Sequence, residues 1–347
     1  MIKDFRDYNL LPHNTFGIDA RCRRFVEFES IEEARQVATM LDDADQPLLI
    51  VGGGSNLLLT GDYQGTVLHS GIKGIFQETG DRSQETGDRS QEVILTCGSG
   101  ETWDDVVAYC VEHGYYGAEN LSLIPGEVGA SAVQNIGAYG AEVADIIHEV
   151  VGIEMGTGLV RRFKPSECGY AYRQSKFKNE WKDKYLIVQV SYRLRLDGEL
   201  NLEYGNIRAE LERKGIQLPS LSQLREVIID IRNAKLPDPK VEGNAGSFFM
   251  NPVVSVEKYR ELAALYPGMP HYDVDAEHVK IPAGWMIDQC GWKGKTLGHA
   301  GVHSRQALVL VNKGGATGLE IVWLCDAIRQ DVLSRFGIEI HPEVNIV

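Results

Sequence analysis

The chain has 347 residues, of which 43% are hydrophobic and 24% are charged. These values are close to the globular average and argue against extensive disorder, and the length suffices for two or three domains. The net charge of −14 argues against a protein that binds the nucleic-acid backbone or an anionic membrane surface, although local positive charge can still bind a small anion.

The cysteine pattern and the N-terminal residues indicate in which cellular compartment the protein is expected. The six cysteines form no C-x-x-C pair, the first ten residues lack the apolar core of a secretory signal, and the longest apolar runs are only strand-sized. We therefore expect a reduced, cytoplasmic protein without membrane insertion.

Helices and short strands alternate in the first half of the chain. The predicted elements are a helix over 32–41, strands over 48–51, 66–69 and 93–96, and a helix over 102–113. Ser30 is the expected N-cap of the first helix. This alternation is typical of α+β and α/β proteins.

An internal repeat interrupts this region. Residues 77–83 (QETGDRS) recur identically as residues 84–90. A polar repeat with a central glycine cannot bury a core, so it predicts a mobile hairpin tip or a loop expansion. A functional role for the repeat is the alternative.

The second half contains a linker candidate. The predicted elements are an edge-like strand over 186–196, helices over 220–234, 256–265 and 317–336, and a strand over 307–311. Residues 235–239 (KLPDP) carry two prolines and break the helix before them. We place a domain boundary near residue 235.

Glycine is over-represented, with 37 of 347 residues, and it clusters in two places. Residues 52–57 (GGGSNL) follow a predicted strand, where bare backbone N–H groups can approach phosphate oxygens. They do not form the dinucleotide fingerprint G-x-G-x-x-G, and an ordinary tight turn is the alternative. Residues 124–140 (IPGEVGASAVQNIGAYG) form the second cluster. Together the two clusters predict two sides of one large, phosphate-bearing cofactor.

Two further segments carry candidate reactive groups. Residues 169–178 concentrate cations and aromatics, and Arg173 among them suits bidentate recognition of a carboxylate. A solvated strand edge is the alternative. Residues 243–252 place Ser247 on a glycine turn before two phenylalanines, without the G-x-S-x-G pattern of a hydrolase nucleophile. In the C-terminal tail, Glu343 stands among apolar neighbours, with a frayed end as the alternative.

Two patterns do not support a site. Residues 294–296 (GKT) end like a phosphate-binding loop but lack the required earlier glycine. His299 and His303 are four residues apart but have no third ligand candidate. We therefore expect neither nucleotide hydrolysis nor a metal.

The motifs taken together resemble the UDP-N-acetylenolpyruvoylglucosamine reductase (MurB) family. The matching motifs, in chain order, are GGGSN, PGxVGASxVQNIGAYG, AYRxSxF, LPDPxxxGNAGSFFxNP and HPEV. The match runs from about Asn14 to Glu343. It implies an α+β protein, a two-part FAD-binding fold of the vanillyl-alcohol-oxidase/PCMH type plus a C-terminal α+β substrate domain. The implied domains are FAD-binding subdomain 1 over 1–70, FAD-binding subdomain 2 over 71–235, and a substrate-binding domain with a catalytic tail over 236–347.

The resemblance also implies a reaction. NADPH would reduce a non-covalently held FAD, and FAD N5 would pass hydride to the enolpyruvyl ether of UDP-N-acetylglucosamine, giving UDP-N-acetylmuramate for peptidoglycan. Ser247 matches the proton donor, and Arg173 and Glu343 match the pair beside the substrate carboxylate. A raised pKa from burial would let Glu343 share a proton there. The implied partner is this small molecule, without nucleic acid, and we expect a monomer.

Further positions match family contacts. The expected cofactor contacts are Gly52, Gly53, Gly54, Ser55, Asn56, Leu57, Pro125, Gly126, Gly129, Ala130, Ser131, Asn135, Gly137, Ala138, Tyr139 and Gly140. The expected substrate contacts are Tyr172, Tyr204, Lys235, Asn251 and Gln306. Residues 202–205 look like the loop of the type I subclass.

The chain departs from the family pattern at Asn345, where an Arg is expected, and at Met250, where a Lys is common. Two other functions remain as alternatives. One is an oxidase of the same fold, which the lack of His and Cys in both glycine clusters disfavours. The other is a non-catalytic nucleotide-sugar binder, which would not need Ser247, Arg173 and Glu343 together.

Overall fold

The structure is a computed structural model that describes residues 1–78 and 92–347. The described chain divides into two compact units. Unit 1 comprises Met1–Tyr8, Cys22–Gly53 and Gln64–Ala234, and unit 2 comprises Asn9–Arg21, Gly54–Tyr63 and Lys235–Val347. The division into three domains stays a prediction. The expected loop of the QETGDRS repeat lies outside the described residues from residue 79 onward.

The regular elements are numbered in chain order. The helices are α1 Ile31–Met40, α2 Trp103–Glu112, α3 Val128–Gln134, α4 Ile207–Arg213, α5 Leu221–Lys235, α6 Val256–Leu265, α7 Ala283–Gln289 and α8 Gly318–Phe336. The strands are β1 Lys3–Asn9, β2 Arg21–Phe28, β3 Leu48–Val51, β4 Leu57–Leu58, β5 Tyr63–Ser70, β6 Ile75–Glu78, β7 Glu92–Gly98, β8 Gly137–Ala138, β9 Ala141–Glu142, β10 Ile147–Glu154, β11 Val160–Phe163, β12 Tyr185–Arg195, β13 Gly243–Asn244, β14 Val253–Ser255, β15 Tyr272–Asp273, β16 His278–Lys280, β17 Thr296–Leu297, β18 Ala300–Val302, β19 Leu310–Asn312 and β20 Asn345–Ile346.

Unit 1 is built on two sheets. One has the order β1-β2-β5-β3, with β3 parallel to β5, and the other has the order β11-β10-β12-β7-β6. Apolar side chains of α1, β2 and β5 pack with those of β10 and β12 in one buried cluster. A second cluster joins α2 and α3 to β7, β10 and β12. The glycine segments at the ends of β3 and α3 are thus attached to buried elements.

The expectation of an edge strand over 186–196 is wrong, because β12 lies between β10 and β7 in the five-stranded sheet. Leu186 and Val188 belong to one buried cluster, whereas Val190 and Tyr192 belong to the other. The strand is buried on both faces, and the polar alternation comes from its exposed C-terminal end at Arg193 and Arg195.

Unit 2 contains a four-stranded sheet β13-β19-β18-β17 and a three-stranded sheet β14-β16-β15. Helix α8 begins with a capping box, in which Thr317 Oγ1 accepts from Glu320 N at 3.2 Å and Glu320 Oε2 accepts from Thr317 N at 2.8 Å. The short strand β20 pairs in parallel with β4 and so holds the chain's tail beside residues 57–58.

The helix predictions over 32–41, 102–113, 256–265 and 317–336 are confirmed to within one residue at each end. Ser30 accepts from Glu33 N and caps α1 as expected. The predicted strand over 307–311 starts later, because a turn in which Val309 N donates to Gln306 O precedes β19. Lys235 belongs to α5, so the linker starts one residue later than expected.

In the described ranges, none of the helices combines the length and the hydropathy that a bilayer span requires.

Candidate active site

The two glycine clusters meet in unit 1. A Cβ at Gly52 would lie 3.2 Å from Ala130 Cβ and 3.2 Å from Glu127 Oε2, and a Cβ at Gly53 would lie 3.4 Å from Gly126 Cα. The segments therefore approach at a distance that leaves little room for side chains. This proximity agrees with the prediction that the two segments serve one cofactor. We call the place where Gly52 and Gly53 approach residues 126–130 the glycine bed. At Gly53 and Gly126 it offers backbone without side chains, which suits phosphate groups, whereas the Glu127 carboxylate lies beside Gly52.

The remainder of the first cluster belongs to unit 2, where main-chain contacts fix it. Gly54 has φ 64°, and a Cβ there would collide with the His13 carbonyl oxygen. Thr15 N donates to Gly54 O at 3.2 Å. Asn56 O accepts from the Asn345 side-chain amide at 3.1 Å, so Asn345, which stands where the resemblance predicts an Arg, binds the first cluster. Only glycine fits at position 54 without strain.

Within the second cluster, two predicted cofactor residues use their side chains inside unit 1. Ser131 is buried in α3 and donates to Val128 O at 2.7 Å. Asn135 is buried and ends α3 with φ 46°, and its side chain donates to Glu142 Oε2 at 2.7 Å and to Ala171 O at 2.9 Å. Both side chains shape the loop, and their contact with a cofactor stays a prediction.

Arg173 is held over the turn at residues 137–140. Its Nη2 donates to Gly137 O at 2.7 Å and its Nη1 to Asn135 O at 3.4 Å. Its Cζ lies 5.6 Å from the centre of the half-exposed Tyr172 ring. The surrounding residues form turns rather than a strand, so the alternative of a strand edge is wrong. The two carbonyls orient the guanidinium.

The same turn borders the loop at residues 202–205, where Tyr204 is predicted to contact substrate. A Cβ at Gly140, which has φ 78°, would lie 3.3 Å from Tyr204 Cβ. A Cβ at Gly205 would lie 3.6 Å from Tyr139 Cδ1. Unit 1 therefore brings Arg173, Tyr204 and the second glycine cluster together.

Ser247 lies in unit 2 on an exposed turn that follows Gly246, whose φ is 70°. The next residue, Phe248, is fully buried, and its N–H donates to Leu308 O at 2.7 Å. Its carbonyl accepts from Glu343 N at 2.8 Å. Unit 2 therefore brings the Ser247 and Glu343 segments side by side, with the hydroxyl-bearing residue exposed.

The remaining predicted substrate residues also lie in unit 2. Asn251 Oδ1 accepts from Ala283 N at 2.9 Å, which ties its side chain to the start of α7. Gln306 Oε1 accepts from the N–H of Leu308 at 3.4 Å, and the carbonyl of Leu308 in turn accepts from Phe248 N. Lys235 is exposed at the end of α5.

An ion pair that holds the loop before the second cluster was not predicted from the sequence. Leu123 has φ 57°, and its N–H donates to Asp104 Oδ1 at 2.5 Å. Arg225 binds both oxygens of Asp104, at 2.7 and 3.0 Å. No short-range pattern relates Arg225 to Asp104, because 121 residues separate them.

The histidines flagged in the sequence serve other contacts. His299 pairs with Glu320 at 3.1 Å, and His303 Nε2 lies 3.9 Å from Glu242. Over the part of the chain that the structure describes, no group of three or more His, Cys, Asp and Glu side chains is placed to hold a metal ion.

Comparison with known proteins relates these features to a family. The family model for the UDP-N-acetylenolpyruvoylglucosamine reductase C-terminal domain matches residues 238–347, and that for an FAD binding domain matches residues 22–163. The UDP-N-acetylenolpyruvoylglucosamine reductase of Bacteroides fragilis (strain YCH46) is 52% identical over 343 residues, covering 98% of this chain and 99% of the relative. The enzyme of that name from Porphyromonas gingivalis (strain W83) is 46% identical, covering 99% and 98%.

A solved structure supports the fold. The reductase (MurB) from Thermus caldophilus matches with a TM-score of 0.65 at 20% identity, covering 100% of this chain and 98% of that one. The predicted α+β fold with an FAD-binding part and a C-terminal domain is thereby confirmed.

The FAD-binding match includes both glycine segments of unit 1, and the backbone without side chains at Gly53 and Gly126 fits a cofactor that carries phosphates. Identity of this extent over nearly the whole chain shows that the protein belongs to the UDP-N-acetylenolpyruvoylglucosamine reductase family of FAD-dependent oxidoreductases.

Proposed function

We propose that this protein reduces the enolpyruvyl ether of UDP-N-acetylglucosamine to UDP-N-acetylmuramate for peptidoglycan, with NADPH as the reductant. The observation that carries the proposal is the exposed Ser247 beside the Glu343 segment, in a chain that is 52% identical to a reductase of that name. We place this reaction in the cytoplasm, on a monomer, with the nucleotide sugar as its small-molecule partner and no nucleic acid.

The glycine segments would hold the cofactor. Gly52, Gly53 and Gly126 offer backbone without side chains, and α3 starts immediately after this point. FAD bound there supplies hydride for the terminal carbon of the enolpyruvyl group. The protein's contribution is to fix the position of the cofactor against the substrate.

Arg173 would bind the substrate carboxylate. Negative charge builds on that carboxylate as the double bond accepts hydride, so a fixed guanidinium stabilises the transition state more than the ground state. The bonds to Gly137 O and Asn135 O hold the guanidinium in one orientation before substrate arrives. Glu343, as the neutral acid, would share a proton with the same carboxylate.

Ser247 would deliver the proton to the ether-bearing carbon. A serine hydroxyl is a weak acid in water, but a carbanionic enolate is a base strong enough to take its proton. The buried Phe248 and Phe249 anchor the turn, so the hydroxyl is presented from a fixed backbone. Contacts to the rest of the substrate, including its diphosphate, would come from Tyr172, Tyr204, Lys235, Asn251 and Gln306.

Separate measurement of the two half-reactions tests these roles. In Ser247→Ala, flavin bleaching by NADPH should stay near the wild-type rate, whereas reoxidation by the enolpyruvyl substrate should slow by about 10²–10³ or more. Ser334→Ala, an exposed serine on α8, is the matched control and should leave both rates unchanged. Equal losses in both half-reactions would show that Ser247 is not the proton donor.

A further inference from the structure

His69 lies between two carboxylates in unit 1. Its Nδ1 is 2.8 Å from Glu27 Oε2, and its Nε2 is 3.1 Å from Glu127 Oε1. The side chains are largely buried, with 11% of His69 and 16% of each glutamate exposed. A neutral imidazole has only one N–H to donate, whereas an imidazolium has two. The geometry is therefore that of a protonated His69 that donates to both carboxylates.

One of these carboxylates lies where the glycine clusters meet. Glu127 immediately precedes α3, and its Oε2 is 3.2 Å from the place that a Cβ of Gly52 would take. Its other oxygen is the one bound by His69. His69 thus connects strand β5, through Glu127, to the glycine bed where Gly52 and Gly53 approach residues 126–130.

The charged neighbours of His69 show which negative charge depends on it. Lys3 on β1 binds Glu27 at 2.5 Å and Glu29 at 2.7 Å, both on or next to β2. Tyr8 on β1 stacks on Phe25, whose ring in turn stacks on the His69 ring. Lys3 therefore offsets charge on the Glu27 side, and the imidazolium offsets the charge of Glu127 beside the glycines.

The balance of forces favours the protonated form. Burial alone would lower the pKa of His69, but the bonds and charges of Glu127 and Glu27 outweigh it and raise the pKa above 6.5. Burial likewise raises the pKa of Glu27, but Lys3 and His69 lower it overall.

We propose that His69 is a positioning residue whose imidazolium holds Glu127 in place against Gly52 and so retains FAD. Deprotonation leaves one N–H for two carboxylates and removes the positive charge that offsets Glu127, so the carboxylate of Glu127 then repels a phosphate-bearing cofactor. Because the pKa of His69 is raised on folding, retention is complete at low pH and declines as the pH rises through that value. The inference concerns FAD alone and needs neither NADPH nor the enolpyruvyl substrate.

The test measures how fast FAD leaves the purified holoprotein after large dilution, followed by flavin fluorescence, from about pH 6 to about pH 9. Wild-type release should accelerate about tenfold across this range. His69→Gln, which can donate to only one carboxylate, should release FAD about tenfold faster at the low end and show no acceleration. His113→Gln, an exposed histidine on the same unit, should follow the wild type.

A second variant keeps the test decisive if His69→Gln does not fold. Glu127→Gln removes the negative charge but keeps an acceptor, so it should retain FAD at low pH and lose most of the pH dependence. A wild-type release rate that is constant within twofold, or a full wild-type pH profile in either variant, would overturn the proposal.

Discussion

The two units hold their candidate site residues in different ways. In unit 1, the glycine segments approach each other closely at Gly53 and Gly126, and two carbonyls fix Arg173. In unit 2, Ser247 is exposed on a turn whose buried neighbours anchor it. A cofactor that stays bound is held best by a preorganised binding site. A side chain that reacts with an arriving substrate must instead stay accessible. This contrast makes separate predictions for flavin retention and for turnover.

The largest effect is expected from Arg173→Met, which keeps the apolar stem and removes the guanidinium. Reoxidation by the enolpyruvyl substrate should slow by about 10²–10³, because the negative charge that builds on the substrate carboxylate is no longer stabilised by the guanidinium. Stopped-flow absorbance of the reduced enzyme measures it. Arg161→Met, which removes a guanidinium 4.6 Å from the Phe163 ring on the same unit, is the matched control. If Arg173→Met also lost its flavin, Arg173 would take part in flavin retention, and the separation between flavin retention and turnover would be contradicted.

A smaller effect is expected from Gly52→Ala. The added methyl would sit 3.2 Å from Ala130 Cβ and from Glu127 Oε2, so the two segments must move apart by a few tenths of an ångström. Such overpacking typically costs about 1–3 kcal/mol, and we expect FAD release about tenfold faster. Gly61→Ala is the control, because a Cβ there meets nothing within 4 Å. An unchanged rate of FAD release from Gly52→Ala would show that FAD binding tolerates a small separation of the two glycine segments.

Local signals allowed much of this architecture to be predicted from the sequence. Strand 48–51 and helix 256–265 match β3 and α6, since the first is a continuous apolar run before a glycine turn and the second has helical spacing after its cap, Ser255. The two glycine clusters, predicted to serve one cofactor, do approach each other at Gly53 and Gly126, whereas their contact with a cofactor stays a prediction. Helix α3 was not predicted, because its small residues and Gly129 give little amphipathic signal.

Contacts between distant residues were not predictable. The Asp104–Arg225 pair joins residues 121 apart, and the carboxylates on either side of His69 are 42 and 58 residues from it. A single sequence contains no record of such pairing, since charged residues at these positions look like any other surface residues. The central position of β12 was missed for the same reason, because neighbouring elements decide which faces are buried.

The smallest effect is expected from Thr317→Ala, which removes the N-cap of α8 in unit 2. Loss of a cap of this kind lowers the free energy of unfolding by about 1 kcal/mol, measurable as a lower urea midpoint. Thr317→Ser should restore most of the loss, because its hydroxyl can still accept from Glu320 N. FAD release under native conditions should not change, since a loss of this size leaves the native fold populated and Thr317 is not among the expected cofactor contacts. Faster release from Thr317→Ala, reversed in Thr317→Ser, would mean that the start of α8 supports residues 54–57, the part of the first glycine cluster that lies in unit 2.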